Sequence, residues 1–305
     1  MTTPSPAPAG LFLCAWKEWP RASLVELRAE AYFRPSIWKV PVPSAREPIF
    51  NVPFVVLAMA ALMALIHAWL SFVLTEDQTN NVLVMFAFIP ARYDASVLAS
   101  EPWTTGWGAA VWTFFTYAFF HSDLTHLAFN LVWLLAFGTA IARRFGAPRF
   151  TGFFLLTAAA GAAAHLGAHF GEPVPMIGAS AGITGFMAGV MRFMFQPGGR
   201  LNVLAARDGE LAQAPAMPLA VMLRNPRVVL VLGVSVGVFV LFGLRVFALP
   251  GVEQGIAWEA HVGGFVAGLI AFAWFDPVGP APAALAMESP DPEPSREPTQ
   301  DHSAK

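Results

Sequence analysis

Six stretches of the chain run for sixteen to twenty-three residues with almost no charge: 52–74, 125–142, 150–170, 180–195, 228–244 and 260–275. At about 1.5 Å of rise per residue, a helix over the longest crosses a hydrocarbon core of about 30 Å. The shortest span it only with a locally thinned bilayer, or where protein rather than lipid surrounds them. Between the first two lies 75–123, with scattered acids and many aromatics: Trp103, Trp107, Trp112, Phe114, Phe115, Tyr117, Phe119 and Phe120. Aromatics at this density beside a span predict a segment lying in the membrane interface, the alternative being a loop with a core of its own. Residues 1–49 mix charge with many prolines and read as a cytosolic lead-in, with room for a short helix at 22–32. From Asp276 the chain is rich in Pro, Ala, Glu and Asp, and a tail at 276–305 is expected to be disordered.

Composition supports the membrane reading. Hydrophobic residues make up 56% of the 305, charged residues only 12%, and the mean hydropathy is +0.56. Folding such a chain in water would leave apolar surface exposed. A net charge of −2 excludes the basic field that nucleic-acid binding needs. The single cysteine, Cys14, excludes an internal disulfide framework. With the N-terminus in the cytosol, sixteen of the eighteen Lys and Arg fall on the cytosolic side and only Arg92 and Arg245 on the other. That bias predicts an all-α membrane protein of six transmembrane helices with both ends inside: lead-in 1–49, helical domain 50–275, tail 276–305. With no secretory signal or transit peptide, the expected compartment is a bacterial inner membrane.

Polar groups inside the spans then carry the chemistry: His67, His126, Asn130, His165, His169, Ser180, Thr184, Ser235 and His261. Ser180 opens a helix after a loop containing Gly178, where free backbone N–H groups favour developing negative charge. Its ordinary alternative is a helix-capping serine. His261 opens the last span, and Ala260, Gly264 and Gly268 form a stripe of small residues that lets another helix approach closely. Gly182, Gly185 and Gly189 give the Ser180 helix a matching face. Two such helices in contact would bring an imidazole within reach of a hydroxyl, as a base-activated nucleophile requires. No Asp or Glu lies inside a span and Glu259 is the nearest to His261, so a dyad fits better than a triad unless Glu259 turns inward. His126 and Asn130, four apart, share a helical face and could donate to an oxyanion, or else tie helices together.

These motifs, His121-x4-His126-x3-Asn130, Gly178-x-Ser180 with Gly185 following, and Ala260-His261-x-Gly263-Gly264, resemble in order and spacing those of the rhomboid family of intramembrane serine proteases. The resemblance covers roughly 50–275. It implies a six-helix rhomboid-like bundle and a serine endopeptidase with Ser180 as nucleophile and His261 as base. His126, Asn130 and the loop at Gly178 would hold the oxyanion, and Gly182, Gly185 and Gly264 would pack the helices near the site. Substrates would be transmembrane or juxtamembrane segments embedded in lipid, and the chemistry implies no metal or organic cofactor. The family usually has Gly after the serine, where this chain has Ala181, and often an aromatic four residues after it, where this chain has Thr184. The His261 ring would then be oriented otherwise, for instance by the Thr184 hydroxyl. Thr113 follows Trp112 where an Arg is common, and Ala142 stands where Gly-x3-Glu would place an acid. The loop 245–259, with Gly251 and Gly255, is the expected cover of the site, and the end of the preceding helix its gate.

Other readings are a rhomboid-like protein that binds membrane clients without cleaving them, and a small transporter, which would be expected to show internal repeats or carboxylates in its spans. His165 and His169 share a helical face, as in a metalloprotease. However, the Glu of His-Glu-x-x-His is missing and no acidic third ligand is apparent, so they read as packing or interface histidines at a helix end. The oligomeric state is not written in the sequence.

Overall fold

The computed structural model describes residues 52–100, 106–195, 215–244 and 257–278. The lead-in with its helix at 22–32, nearly all of the tail, and the cover as far as residue 256 lie outside them. Every regular element among the described residues is helical, and Phe88 and Met176 pair in an isolated antiparallel bridge.

Helix α1 (Phe54–Phe72) is apolar apart from His67 and Ser71. After it, Thr75 and Gln78 form a reciprocal capping box that starts α2 (Glu76–Phe86). Short helices α3 (Ala95–Ser100) and α4 (Gly106–Thr116) complete the connection. Several of its aromatics turn inward. Phe88 is fully buried against Phe114 (4.9 Å between ring centroids) and Tyr93 (5.6 Å), and the buried Tyr117 hydroxyl donates to the Ala158 carbonyl (2.8 Å). Trp112 and Phe115 stay exposed. The connection is therefore neither a segment flat in the interface nor a separate core: Phe88 and Tyr117 join the core of the helices beneath them.

Helix α5 (Leu124–Trp133) runs through a π turn at Leu134–Gly138 into α6 (Thr139–Ala168). A straight helix of this length, 45 residues, would be about twice as long as a bilayer core is thick. It folds instead at Gly146, whose φ of 72° and ψ of 166° lie outside the helical region, just before Pro148. A methyl at Gly138 would sit 3.5 Å from the Phe150 ring. Along a straight helix, residues twelve apart would be separated by about 18 Å, so 124–145 and 147–168 are the two arms of a hairpin.

Helices α7 (Ser180–Met194), α8 (Leu219–Met222), α9 (Pro226–Gly243) and α10 (Trp258–Phe275) follow. Four stretches are long and apolar enough to cross a membrane: α1, Leu124–Ala168, α9 and α10. With only 15 residues α7 is shorter than a span usually needs, yet almost all of it is buried, so its neighbours rather than lipid surround it.

The second arm of the hairpin, α7 and α10 form the heart of the molecule. A methyl at Gly264 would run into the Ala181 carbonyl, and one at Gly268 into the Gly185 carbonyl. Backbone meets backbone there, as the small-residue stripes predict. At one end, Arg144 beside the hairpin turn makes a bidentate pair with Asp276 at the end of α10 (2.8 and 2.7 Å) and lies over the Phe193 ring of α7 (4.7 Å).

Candidate active site

Ser180 is the first residue of α7, and the capping position belongs to Ala179, which has no side chain to cap with. The capping alternative for Ser180 therefore fails. Gly178, two residues earlier, has φ +121°, a conformation in which only glycine is comfortable. Its N–H donates to the Tyr117 carbonyl (3.0 Å), which ties the loop to the end of α4. A side chain at Gly178 would collide with His126 Nε2 (2.7 Å) and reach to 3.8 Å from Ser180 Oγ. The absent Cβ thus lets the His126 imidazole close in on the Gly178 backbone, with the Ser180 hydroxyl nearby.

His126 stands in the first turn of α5, whose N-cap is Asp123: its carboxylate accepts from the His126 N–H (2.8 Å). Ser122 Oγ donates to Asp123 (2.7 Å) and meets His126 Nδ1 (3.2 Å). Having only one proton, Ser122 accepts from His126 Nδ1–H, so neutral His126 presents a lone pair at Nε2. Donation from Nε2 then requires a second proton on the ring. Asn130 is buried one turn on, with Nδ2 donating to the His126 carbonyl (2.9 Å). One of its two amide protons is thus committed within the helix.

His261 lies in the first turn of α10. Thr184 Oγ1 reaches both the Ala181 carbonyl (2.9 Å) and the His261 carbonyl (3.1 Å), joining the two helices one turn beyond Ser180. Thr184 therefore anchors the backbone of His261 and does not orient its ring. Phe239 of α9 takes that place, stacked on the imidazole at 5.6 Å and 27°. His261 Nδ1 is buried without a partner. Glu259 does not turn toward it, because its carboxylate is engaged by His165 (2.6 Å). The His261 ring lies within electrostatic reach of His126. α5, α7 and α10 therefore bring Ser180, His126 and His261 to one region, while Gly182 and Gly185 face Phe154 and Thr157 of α6.

A match to the family model of the rhomboid domain covers residues 108–276, more than half of the chain. The chain belongs to the rhomboid family. No curated protein matches it. Rhomboid proteins are generally intramembrane serine proteases acting on transmembrane substrates, and with four apolar spans this one is an integral membrane protein. A cavity of about 430 Å³ adjoins the region described, lined by His67, Glu76 and Asn80 from α1 and α2 and by His121 and Ser122 of the rhomboid domain, among others. His121 is neutral there: burial, and then the neighbouring His126 and His67, push its pKa down to about 3.

Proposed function

We propose that the protein is an intramembrane serine endopeptidase working through a dyad, with Ser180 as nucleophile and His261 as general base. The observation carrying this is the position of Ser180 at the first residue of a buried helix, two residues after Gly178, against whose backbone the His126 ring packs. Ser180 Oγ attacks the scissile carbonyl as His261 takes its proton, and the same imidazole protonates the departing amine. Water then attacks the acyl-enzyme and Ser180 regains its proton. The first N–H groups of α7 have no intrahelical partner and, with doubly protonated His126, would face the oxyanion. The hydrogen-bonded Ser122 and Asp123 would stabilise that second proton.

All six apolar stretches would cross the membrane with both ends in the cytosol, the short α7 being shielded by its neighbours. Ser180 and His261, each at the start of a helix entering from the far side, would then lie just below the non-cytosolic surface. The compartment would be a bacterial inner membrane. Substrates would be transmembrane or juxtamembrane segments whose helix unwinds readily, because the scissile carbonyl must leave its helical hydrogen bond to be attacked.

The test uses purified protein in detergent, a fluorogenic transmembrane peptide and a serine-reactive phosphonate. Wild type should cleave and be labelled, and Ser180→Ala should do neither while remaining folded. Cleavage by Ser180→Ala at the wild-type rate would remove Ser180 from the role. A folded wild type that neither cleaves nor is labelled would point to the client-binding reading.

A further inference from the structure

Where the end of α6 meets the start of α10, three side chains from distant parts of the chain converge. His165 Nδ1 lies 2.6 Å and His169 Nε2 3.4 Å from the same oxygen, Oε1 of Glu259. One donor atom from each of the three residues lies within 4.8 Å of the other two. The sequence offered the two histidines without an acid; the fold brings Glu259 to them.

The outer nitrogens are tied off. His169 Nδ1 is 2.7 Å from Glu172 Oε2, and His165 Nε2 is 3.3 Å from the Val174 carbonyl. Both partners are pure acceptors, as is Glu259 beside His165 Nδ1, and with a proton on each outer nitrogen the inner ones carry lone pairs. What remains pointing inward is two imidazole lone pairs and a carboxylate, three acceptors aimed at one place. Such a set is stable only around positive charge, either an added proton or a metal ion. A carboxylate and a carbonyl on the outer nitrogens are also the partners that metal-bound imidazoles usually have. Tetrahedral zinc holds its ligands at about 2.0–2.2 Å, hence about 3.4 Å from one another. The His169–Glu259 separation already matches this, and the His165–Glu259 contact needs to open by less than about 1 Å.

We propose that His165, His169 and Glu259 bind a divalent transition metal of the zinc type, with Glu172 and Val174 orienting the two rings. His165 and Glu259 are buried, while a third of the His169 side chain and half of that of Glu172 are exposed, so the metal has a way in from solvent. Bound there, it would join the end of α6 to the first turn of α10, two residues before His261. It is assigned no chemical step.

The experiment takes the full-length protein in detergent, its purification tag removed, stripped with a chelator that is then washed out. Zinc is titrated against a chromophoric competitor, and cobalt is added separately for its tetrahedral absorption bands. Wild type should bind one equivalent and melt at a higher temperature with zinc present. His169→Ala, a partly exposed helix-end change that should leave the fold intact, should weaken binding about 100-fold or more and abolish the thermal shift. Glu172→Gln should weaken it about 10- to 100-fold. Ser180→Ala should bind as wild type does, which keeps this result separate from the protease reading. Absence of binding in wild type, or binding indifferent to His169→Ala, would overturn the site and leave a protonated His165 paired with Glu259.

Discussion

Helix α10 is held on one side by α6 and α7 and touched on the other by α9, and the two sides follow different rules. On the first, methyl groups at Gly264 or Gly268 would strike the backbone of α7, and one at Gly263 would come to 2.6 Å from Ala164 Cβ. On the second, the α9 glycines Gly233 and Gly237 have nothing within 4 Å of where a methyl would be, and close approach is confined to Gly243 at the end of α9, against Trp258. Of the apolar window of α10, 44% is buried, against 11% for α9. In lipid no hydrophobic force drives helices together, so close packing and interhelical hydrogen bonds hold them. By that measure α9 is the loosely held helix. His261 stands at the seam: its backbone carbonyl is bonded to Thr184 on the tight side, and its ring rests on Phe239 on the loose side. The tight side sets where the imidazole is, and the loose side sets which way it faces.

The sharpest test of the tight side is the pair that closes its end. The side chains of Arg144 and Asp276 are 0% and 2% exposed. Removing one partner of such a pair leaves an uncompensated buried charge, so Arg144→Ala should cost about 3–5 kcal/mol in reversible detergent denaturation. Replacing both by apolar residues of similar volume should recover most of it. A cost below about 1 kcal/mol for the single change would mean that glycine packing alone holds the three helices.

Next comes the packing itself. Gly268→Val forces a branched side chain into the Gly185 backbone and should cost about 1–3 kcal/mol or more. Gly237→Val on α9 should stay within about 0.5 kcal/mol. Equal effects at the two positions would erase the distinction between the sides.

Much of this was legible in the chain. The six apolar stretches all fall on described helical segments, and the Gly264 and Gly268 stripe announced the contact of α10 with α7, whereas Gly182 and Gly185, expected on the same contact, face Phe154 and Thr157 of α6. The partners of single side chains were not legible. Glu259 meets His165 across 94 positions, and no periodicity links them. Phe239 reaches His261 from another helix and so takes the place of the aromatic missing at 184. Thr184 was expected at the imidazole, but a helical hydroxyl most readily bonds a carbonyl three or four residues back, and its other contact is likewise with backbone. The hairpin turn looked like a loop at 143–149; helical geometry in fact continues on both sides and only Gly146 breaks it.

If Phe239 orients the His261 ring, Phe239→Ala should slow peptide cleavage about tenfold, or ~1.4 kcal/mol in the barrier, with little change in KM. Because α9 is loosely packed, the same change should cost the fold less than about 1 kcal/mol. Phe239→Leu should restore stability before it restores rate, and Phe239→Tyr should restore both. A variant with full turnover and a weakened fold would make the stacking contact structural only.

The smallest effect belongs to the cap of α5, which touches neither side. Asp123 accepts from the His126 N–H and from the Ser122 hydroxyl. Burial of the carboxylate works against its charge, but the Ser122 hydroxyl and the His126 N–H outweigh it and hold the pKa below the ordinary value. A carboxylate depressed in the folded state adds stability above its unfolded pKa, near 4, and loses it as pH falls through the folded value. Asp123→Ala should therefore cost about 1 kcal/mol at neutral pH and progressively less as the solution is acidified below pH 4. Asp123→Asn keeps the cap but not the charge, so it should retain most of the stability at neutral pH, and its stability should not decline further on acidification below pH 4 as that of wild type does.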